Sequence, residues 1–149
     1  MKTITNSLSI IFFFAITGFV SAQQKSQTTF VIVHGAWGGG WAFKKVDSLM
    51  TAHGALVYRA SLTGQGERVH LATPEVGLTT HINDVVNMIV FENLKDIVLV
   101  GHSYGGMVIT GVADRIPERI RKLIYLDALL PVDGESVFSA IPNNREGMR

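Results

Sequence analysis

Four short apolar runs, separated by helical patterns, constrain the fold of this 149-residue chain more than any other feature. The runs carry no charged interruption, and the first, Phe30–Val33, is rich in β-branched residues, which is typical of a strand buried on both faces. Alternation of such strands with helices predicts an α/β fold of three layers, α/β/α, with a mostly parallel sheet. The predicted strands are Phe30–Val33, Ala55–Tyr58, Ile97–Val100 and Leu123–Leu126.

Helical periodicity occurs in each gap between these strands. Apolar residues at a spacing of three or four predict helices around Phe43–His53, Ile82–Ile89 and Met107–Ile116. Gly54 suits the C-terminal cap of the first helix, and Pro117 ends the third. A long loop, Ser61–Gly77, precedes the second helix, whose predicted N-cap is Thr79 or Thr80.

The first 22 residues have the layout of a secretory signal peptide. Lys2 precedes an apolar run, Leu8–Val20, and small residues lead to a cleavage site before Gln23. The alternative is a membrane anchor, but the run is shorter than the roughly 20 residues that span a bilayer. We therefore predict an exported protein, periplasmic or secreted, with 1–22 as the signal peptide, 23–149 as the start of one domain, and no stable membrane span after cleavage.

Composition excludes several classes of function. The net charge of +1 argues against nucleic acid as a partner. The absence of Cys excludes disulfides, a thiolate nucleophile and Cys-based metal sites. The five histidines are scattered without metal-ligand spacing, so we predict no metal and no cofactor. The sequence makes no prediction of oligomeric state.

The sequence G-H-S-Y-G follows the third predicted strand and opens the third helix. This pattern suits a sharp strand-to-helix turn that lifts the hydroxyl of Ser103 clear of the sheet. Gly101 and Gly105 leave room for the chain, and His102 completes the turn. The helix N-terminus behind the serine favours developing negative charge. We predict Ser103 as a nucleophile; the alternative is a turn serine that caps the helix.

A glycine-rich loop, His34–Gly40, follows the first strand. Its backbone amides can face the serine and form an oxyanion hole, which needs two N–H donors. We predict that Tyr104, the residue after the nucleophile, supplies one donor and Ala36 the other. The alternative is a nucleotide-binding loop or a plain turn, but the glycines match neither a dinucleotide fingerprint nor a P-loop.

These motifs together resemble the α/β-hydrolase superfamily. The likeness is strongest to its esterase branch, which includes plant methylesterases, hydroxynitrile lyases and bacterial pyrethroid-hydrolase-type carboxylesterases. It runs from about Phe30 to Phe138. The stretches that carry it are His34–Trp37, Leu62–Arg68, Thr80–Val86, Gly101–Met107 and Tyr125–Ala128.

The resemblance implies a carboxylesterase that acts on a small-molecule ester, small or aromatic. Ser103 would attack the ester carbonyl, the amides of Ala36 and Tyr104 would hold the oxyanion, and water would hydrolyse the acyl-enzyme. Hydroxynitrile lyases of this branch carry Thr where this chain has Gly35, which argues against lyase chemistry.

The chain departs from the family pattern after the nucleophile. The family order is serine, acid, histidine, yet none of the five histidines follows Ser103. His34 is expected to shape the oxyanion loop, and His70 and His81 to be structural or at the surface. Asp127, just past the fourth predicted strand, is a candidate acid, although this branch usually takes its acid one strand later.

We therefore expect the sequence to cover the N-terminal half of the fold, with the triad acid and histidine beyond Arg149. The 149-residue chain alone is then expected to be inactive. The alternative function is a non-catalytic remnant or binding protein that keeps the pocket without the base.

Overall fold

The computed structural model describes residues 27–140, and the strands there form one parallel sheet. The order across the sheet is β2-β1-β3-β4. Each of the four predicted strands is present, so the predicted parallel α/β architecture is confirmed. The strands are β1 (Thr29–Val33), β2 (Leu56–Ala60), β3 (Ile97–Ser103) and β4 (Ile120–Ala128).

Helices flank this sheet in the order that the sequence predicts. The α-helices are α1 (Lys44–Ala52), α2 (Leu78–Phe91), α3 (Gly105–Arg115) and α4 (Val137–Ala140). Short 3-10 helices cover Gly40–Phe43, Gly66–Leu71 and Pro117–Arg119. Gly54 follows α1 with φ of 85°, a left-handed conformation that glycine adopts without a steric penalty.

The core lies between one face of the sheet and the helices α2 and α3. Odd-numbered positions of β1 and β3 point to this face because side chains alternate along a strand. They meet the apolar sides of the two helices, and burial of this apolar surface holds the layers together. The fully buried residues here include Val31, Val33, Leu99, Val85, Ile89, Val108 and Val112.

The other face of the sheet is covered on the α1 side. His102, at an even position of β3, packs edge-on against Phe43, which directly precedes α1. The ring centroids are 6.0 Å apart. Helix α1 packs against β2 but buries none of its own residues. This layer therefore contributes less to the core than α2 and α3.

Some element boundaries differ from the prediction. Helix α2 begins two or three residues earlier than predicted, because Gly77 is its N-cap and the carbonyl of Gly77 accepts the first helical bond, from the N–H of His81 at 3.1 Å. Thr79 and Thr80 already lie inside the helix. The predicted loop Ser61–Gly77 contains a 3-10 helix, which short-range bonds between residues three apart stabilise.

Strands β3 and β4 are longer than predicted. Gly101 and His102 lack a strand pattern of their own, yet they pair with Tyr125 and Leu126 of β4. The charged residues at the start of β4 hide its beginning in the sequence. Pairing between strands, which local propensity does not report, sets these ends.

The predicted signal peptide, 1–22, and its cleavage site lie outside the described residues. Across residues 27–140, no helix has both the length and the apolar character needed to cross a membrane.

Candidate active site

Ser103 lies in a sharp turn between β3 and α3. Its φ is 53°, a left-handed conformation that costs a non-glycine residue roughly 1–2 kcal/mol. Tyr104 follows as the N-cap of α3. The turn therefore places Ser103 at the carboxyl end of a central strand and directly before a helix N-terminus. Partial positive charge at that N-terminus stabilises an anion beside the serine.

Two glycines make this turn possible. A Cβ on Gly101 would lie 2.6 Å from the carbonyl oxygen of Gly105. A Cβ on Gly105 would lie 2.6 Å from the carbonyl oxygen of Val33 and 2.9 Å from that of His34. Each neighbour is backbone, so neither position accepts a side chain without movement of a strand or a helix.

The glycine-rich loop passes directly against the nucleophile. A Cβ on Gly35 would lie 2.9 Å from the Cβ of Ser103. The loop then turns sharply, since the N–H of Gly38 donates to the carbonyl of Gly35 at 3.3 Å. Trp37 sits in this turn with φ of 61° and with 86% of its surface exposed. Ala36, the predicted oxyanion donor, is the residue between this contact and the exposed tryptophan.

His34 orients the peptide that contains the Ala36 amide. Its Nδ1 lies 2.7 Å from the carbonyl oxygen of Gly35, and its Nε2 accepts the N–H of Leu62 at 3.1 Å. These two partners define the neutral ring with the proton on Nδ1. Burial of the imidazole lowers the pKa of His34. The Gly35 carbonyl and the Ala36 N–H belong to one trans peptide and point in opposite directions, so the Ala36 N–H points away from His34.

The second candidate donor is oriented in the same way. The carbonyl of Ser103 accepts the N–H of Leu129 at 3.0 Å. The N–H of Tyr104 shares this peptide unit and therefore points away from Leu129. Both amides that were predicted to form an oxyanion hole thus belong to peptides whose carbonyl groups are already bonded.

The side chain of Tyr104 is held by a buried histidine of α2. The hydroxyl of Tyr104 lies 2.8 Å from Nδ1 of His81, and Nε2 of His81 lies 2.9 Å from the carbonyl oxygen of Thr63. Since a carbonyl only accepts, His81 carries its proton on Nε2 and the tyrosine hydroxyl donates to Nδ1. The two rings also meet edge to face, with centroids 5.7 Å apart. Burial raises the pKa of Tyr104 to about 12.

Thr63 is bonded on its other side to Asp84, which lies one turn beyond His81 on α2. The backbone N–H and the hydroxyl of Thr63 donate to the two carboxylate oxygens at 2.7 and 2.9 Å. Arg68 lies 3.8 Å from the same carboxylate. His81 and Asp84 were not predicted as a pair. The sequence did hold a signal for this pair, because His81 and Asp84 are polar residues three positions apart on the otherwise apolar side of a predicted helix.

The far end of the glycine-rich loop is bonded to the same segment. The N–H of Gly40 donates to the hydroxyl of Ser61 at 2.9 Å, and that hydroxyl donates to Glu67. The bond from Ser61 is the main cause that lowers the pKa of Glu67. Arg59 donates to the carbonyl of Gly40 at 2.6 Å while it pairs with Asp47 at 2.8 Å.

Comparison with protein families identifies this arrangement. Residues 30–148 match the family model described as the alpha/beta hydrolase family. The chain belongs to the alpha/beta hydrolase family. The predicted family and fold are therefore confirmed. The chain spans about half the length of the curated relatives it matches.

The curated relatives that this chain matches include several esterases. The chain is 51% identical, over 113 residues, to a carbendazim hydrolyzing esterase from Nocardioides sp. (strain SG-4G). The aligned region covers 76% of this chain and 47% of that protein. It is 28% identical, over 127 residues, to methylesterase 8 of Arabidopsis thaliana, with 85% and 47% covered. Among solved structures, an extracellular alpha/beta-hydrolase from a Paenibacillus species superposes with a TM-score of 0.73 at 34% identity, and covers 78% of this chain and 47% of that one.

All five histidines of this hydrolase-family chain lie within the described residues, and none of them bonds the hydroxyl of Ser103 there. His34 and His81 use both ring nitrogens on other groups. His102 packs against Phe43 on the α1 side. The remaining two lie at helix ends. His53, the C-cap of α1, bonds the carbonyl of Leu49 within that helix, and His70 is exposed near the end of a 3-10 helix.

Asp127 lies within β4 and not just past it, which corrects the predicted position. Its φ is 44°, and it falls in a bulge between the pairs His102–Leu126 and Ser103–Ala128. The bulge brings Asp127 beside the end of β3 with its side chain exposed. Among residues 27–140, no three His, Asp or Glu side chains come together as a metal site.

Proposed function

We propose that this protein is a serine carboxylesterase. Ser103 attacks the ester carbonyl, and its oxygen forms the bond to the acyl carbon while the carbonyl oxygen becomes an oxyanion. The amides of Ala36 and Tyr104 donate to that oxyanion. The ester C–O bond then breaks, the alcohol leaves with the proton taken from Ser103, and water hydrolyses the acyl-enzyme. One observation carries the proposal: the strained turn at Ser103 meets the Gly35–Ala36 peptide, whose carbonyl His34 already binds.

The proposed substrate class is a small or aromatic ester. The names of the relatives support it, since they include methylesterases and a carbendazim hydrolyzing esterase, as does a pyrethroid hydrolase that superposes with a TM-score of 0.65 at 28% identity. Exposed aromatic residues add apolar surface to this region, since Trp37 in the loop beside Ser103 is 86% exposed and Trp41 in the 3-10 helix that follows is 54% exposed. Aromatic side chains of this kind suit an apolar acyl or alcohol group.

We propose that the triad acid and histidine lie in sequence after Arg149. The family order of serine, acid and histidine supports this, together with the ring contacts of His34, His81 and His102, none of which is to the hydroxyl of Ser103. We also propose export through the signal peptide at 1–22. The extracellular relative from Paenibacillus supports that location.

The alternative is a non-catalytic protein that keeps the pocket. Reading the coding DNA past Arg149 separates the two: an open frame with an Asp and, further on, a His supports the esterase, whereas a stop codon there contradicts it for this gene product. The biochemical test is labelling with a fluorophosphonate probe and turnover of an aryl ester.

We expect the full-length protein to be labelled at Ser103 and the Ser103→Ala variant to remain unlabelled. The 149-residue chain alone should show little labelling, because within residues 27–140 no histidine bonds the hydroxyl of Ser103 to take its proton. Labelling of Ser103→Ala, or turnover of the ester by that variant at the wild-type rate, would contradict the assignment of the nucleophile.

A further inference from the structure

The two peptides proposed to bind the oxyanion come from distant parts of the chain. Ala36 follows β1, and Tyr104 follows β3. An oxyanion hole works only when both N–H groups point at one place before the reaction starts. Orienting each peptide separately is therefore not enough, and the two peptides also have to be held relative to each other.

A chain of hydrogen bonds supplies that link. It runs from the hydroxyl of Tyr104 to His81 at 2.8 Å and from His81 to the carbonyl of Thr63 at 2.9 Å. The next residue back along the chain, Leu62, donates its N–H to His34 at 3.1 Å. His34 in turn binds the carbonyl of Gly35 at 2.7 Å, in the peptide of the Ala36 amide.

Burial makes this series of hydrogen bonds rigid. His34 and His81 are only 1% and 5% exposed, and the side chain of Leu62 is fully buried. A buried donor or acceptor that loses its partner costs about 1–3 kcal/mol, so each member of the chain is held in one orientation by its neighbours.

We propose that His81 is a positioning residue that couples the two arms of the oxyanion hole. Its Nδ1 holds the ring of Tyr104, and its Nε2–H holds the Ser61–Thr63 segment that His34 binds. His81 touches neither substrate nor Ser103 in this arrangement. It acts through the backbone of Tyr104, and the inference rests on the proposed esterase function only for its effect on the rate.

The test compares three single variants of the full-length protein. Tyr104→Phe removes the hydroxyl, and His81→Gln keeps a donor for Thr63 while it removes the acceptor at Nδ1. Tyr125→Phe is the matched control, because it removes a tyrosine hydroxyl bonded at 2.8 Å to Thr110, on the same helix α3 but outside the chain of bonds. The first readout is the ¹⁵N order parameter of the Tyr104 amide by NMR.

We expect the Tyr104 order parameter to fall from about 0.85, a rigid backbone, towards about 0.6 in Tyr104→Phe and His81→Gln. In the double variant that combines Tyr104→Phe with His81→Gln, the Tyr104 order parameter should fall no further than in either single variant, because both substitutions remove the same hydrogen bond. Tyr125→Phe should stay at the wild-type value. An unchanged order parameter in both folded variants overturns the proposal, as does an equal fall in Tyr125→Phe.

The second readout is steady-state turnover of an aryl ester. We expect kcat to fall about 10-fold with KM unchanged in Tyr104→Phe and His81→Gln, because complete loss of one oxyanion donor costs roughly 100- to 1000-fold. A fall confined to KM overturns the positioning role. If the wild-type protein hydrolyses no ester but the order parameters change as expected, the proposed function fails and the positioning of Tyr104 by His81 stands.

Discussion

Replacing Gly105 with Ala tests whether the close approach of α3 to β1 positions the site. The added Cβ would lie 2.6 Å from the carbonyl oxygen of Val33 and 2.9 Å from that of His34. Real Cβ atoms essentially never come within 3.0 Å of such atoms, so something has to move. Because the neighbours are strand backbone, no side chain can swing away to make room.

Two opposing effects set the size of the change. Overpacking against a rigid neighbour costs roughly 1–3 kcal/mol, and backbone contact puts this case near the upper end. Alanine gains at most about 1 kcal/mol over glycine in a helix. We therefore expect Gly105→Ala to lower the free energy of unfolding by about 2 kcal/mol. Helix propensity alone predicts the opposite sign.

The assay is urea unfolding of the wild-type protein, Gly105→Ala and Gly77→Ala. Gly77 is the matched control, since its φ of −142° is open to alanine and its Cβ would meet nothing within 4 Å. We expect Gly77→Ala to cost at most about 1 kcal/mol, because alanine is a poorer N-cap than glycine but meets no neighbour there. The reasoning is refuted if Gly105→Ala is as stable as Gly77→Ala.

The same substitution should also slow an esterase. The end of β1 that must move leads into the loop with the Ala36 amide, and a displacement of about 1 Å at a reacting group costs on the order of 100-fold in rate. We expect kcat of Gly105→Ala to fall by about 10- to 100-fold while Gly77→Ala keeps the wild-type kcat. Aryl ester turnover measures both.

Three further outcomes follow from the site. Ser103→Gly should be about 1 kcal/mol more stable than Ser103→Ala in urea unfolding, because only glycine relieves the left-handed φ of 53°; equal stability would contradict strain at this turn. Burial holds the pKa of His34 below its ordinary 6.5, so the unfolded chain binds more protons below pH 6.5 and stability falls as the pH drops from there through the folded pKa. Urea midpoints at a series of pH values should show this loss, with a shallower dependence in His34→Gln. Asp84→Ala should lower the free energy of unfolding by about 3 kcal/mol in the same assay, because it leaves the N–H and the hydroxyl of Thr63 without their acceptor; a loss below about 0.5 kcal/mol would show that water replaces the carboxylate.

The sequence predicted the parts of the fold that local patterns control. Short apolar runs marked the four strands, and the glycines around Ser103 marked the turn, because patterns within a few residues decide both. The N-cap of α2 was placed too late, at Thr79 or Thr80, because a capping side chain was expected, whereas the helix starts at Gly77 with no side-chain cap. The ends of β3 and β4 were missed because the partner strand determines them.

The sequence by itself therefore determined the family of folds, the strained serine and the glycine-rich loop beside it. Only the tertiary structure decided which groups hold that loop in place. His34 meets Leu62 across 28 positions, and His81 meets Tyr104 across 23. No periodicity in a sequence encodes such pairs. They exist because the sheet order β2-β1-β3-β4 and the packing of α2 on α3 bring the ends of separate elements to one edge, where buried polar groups must find partners.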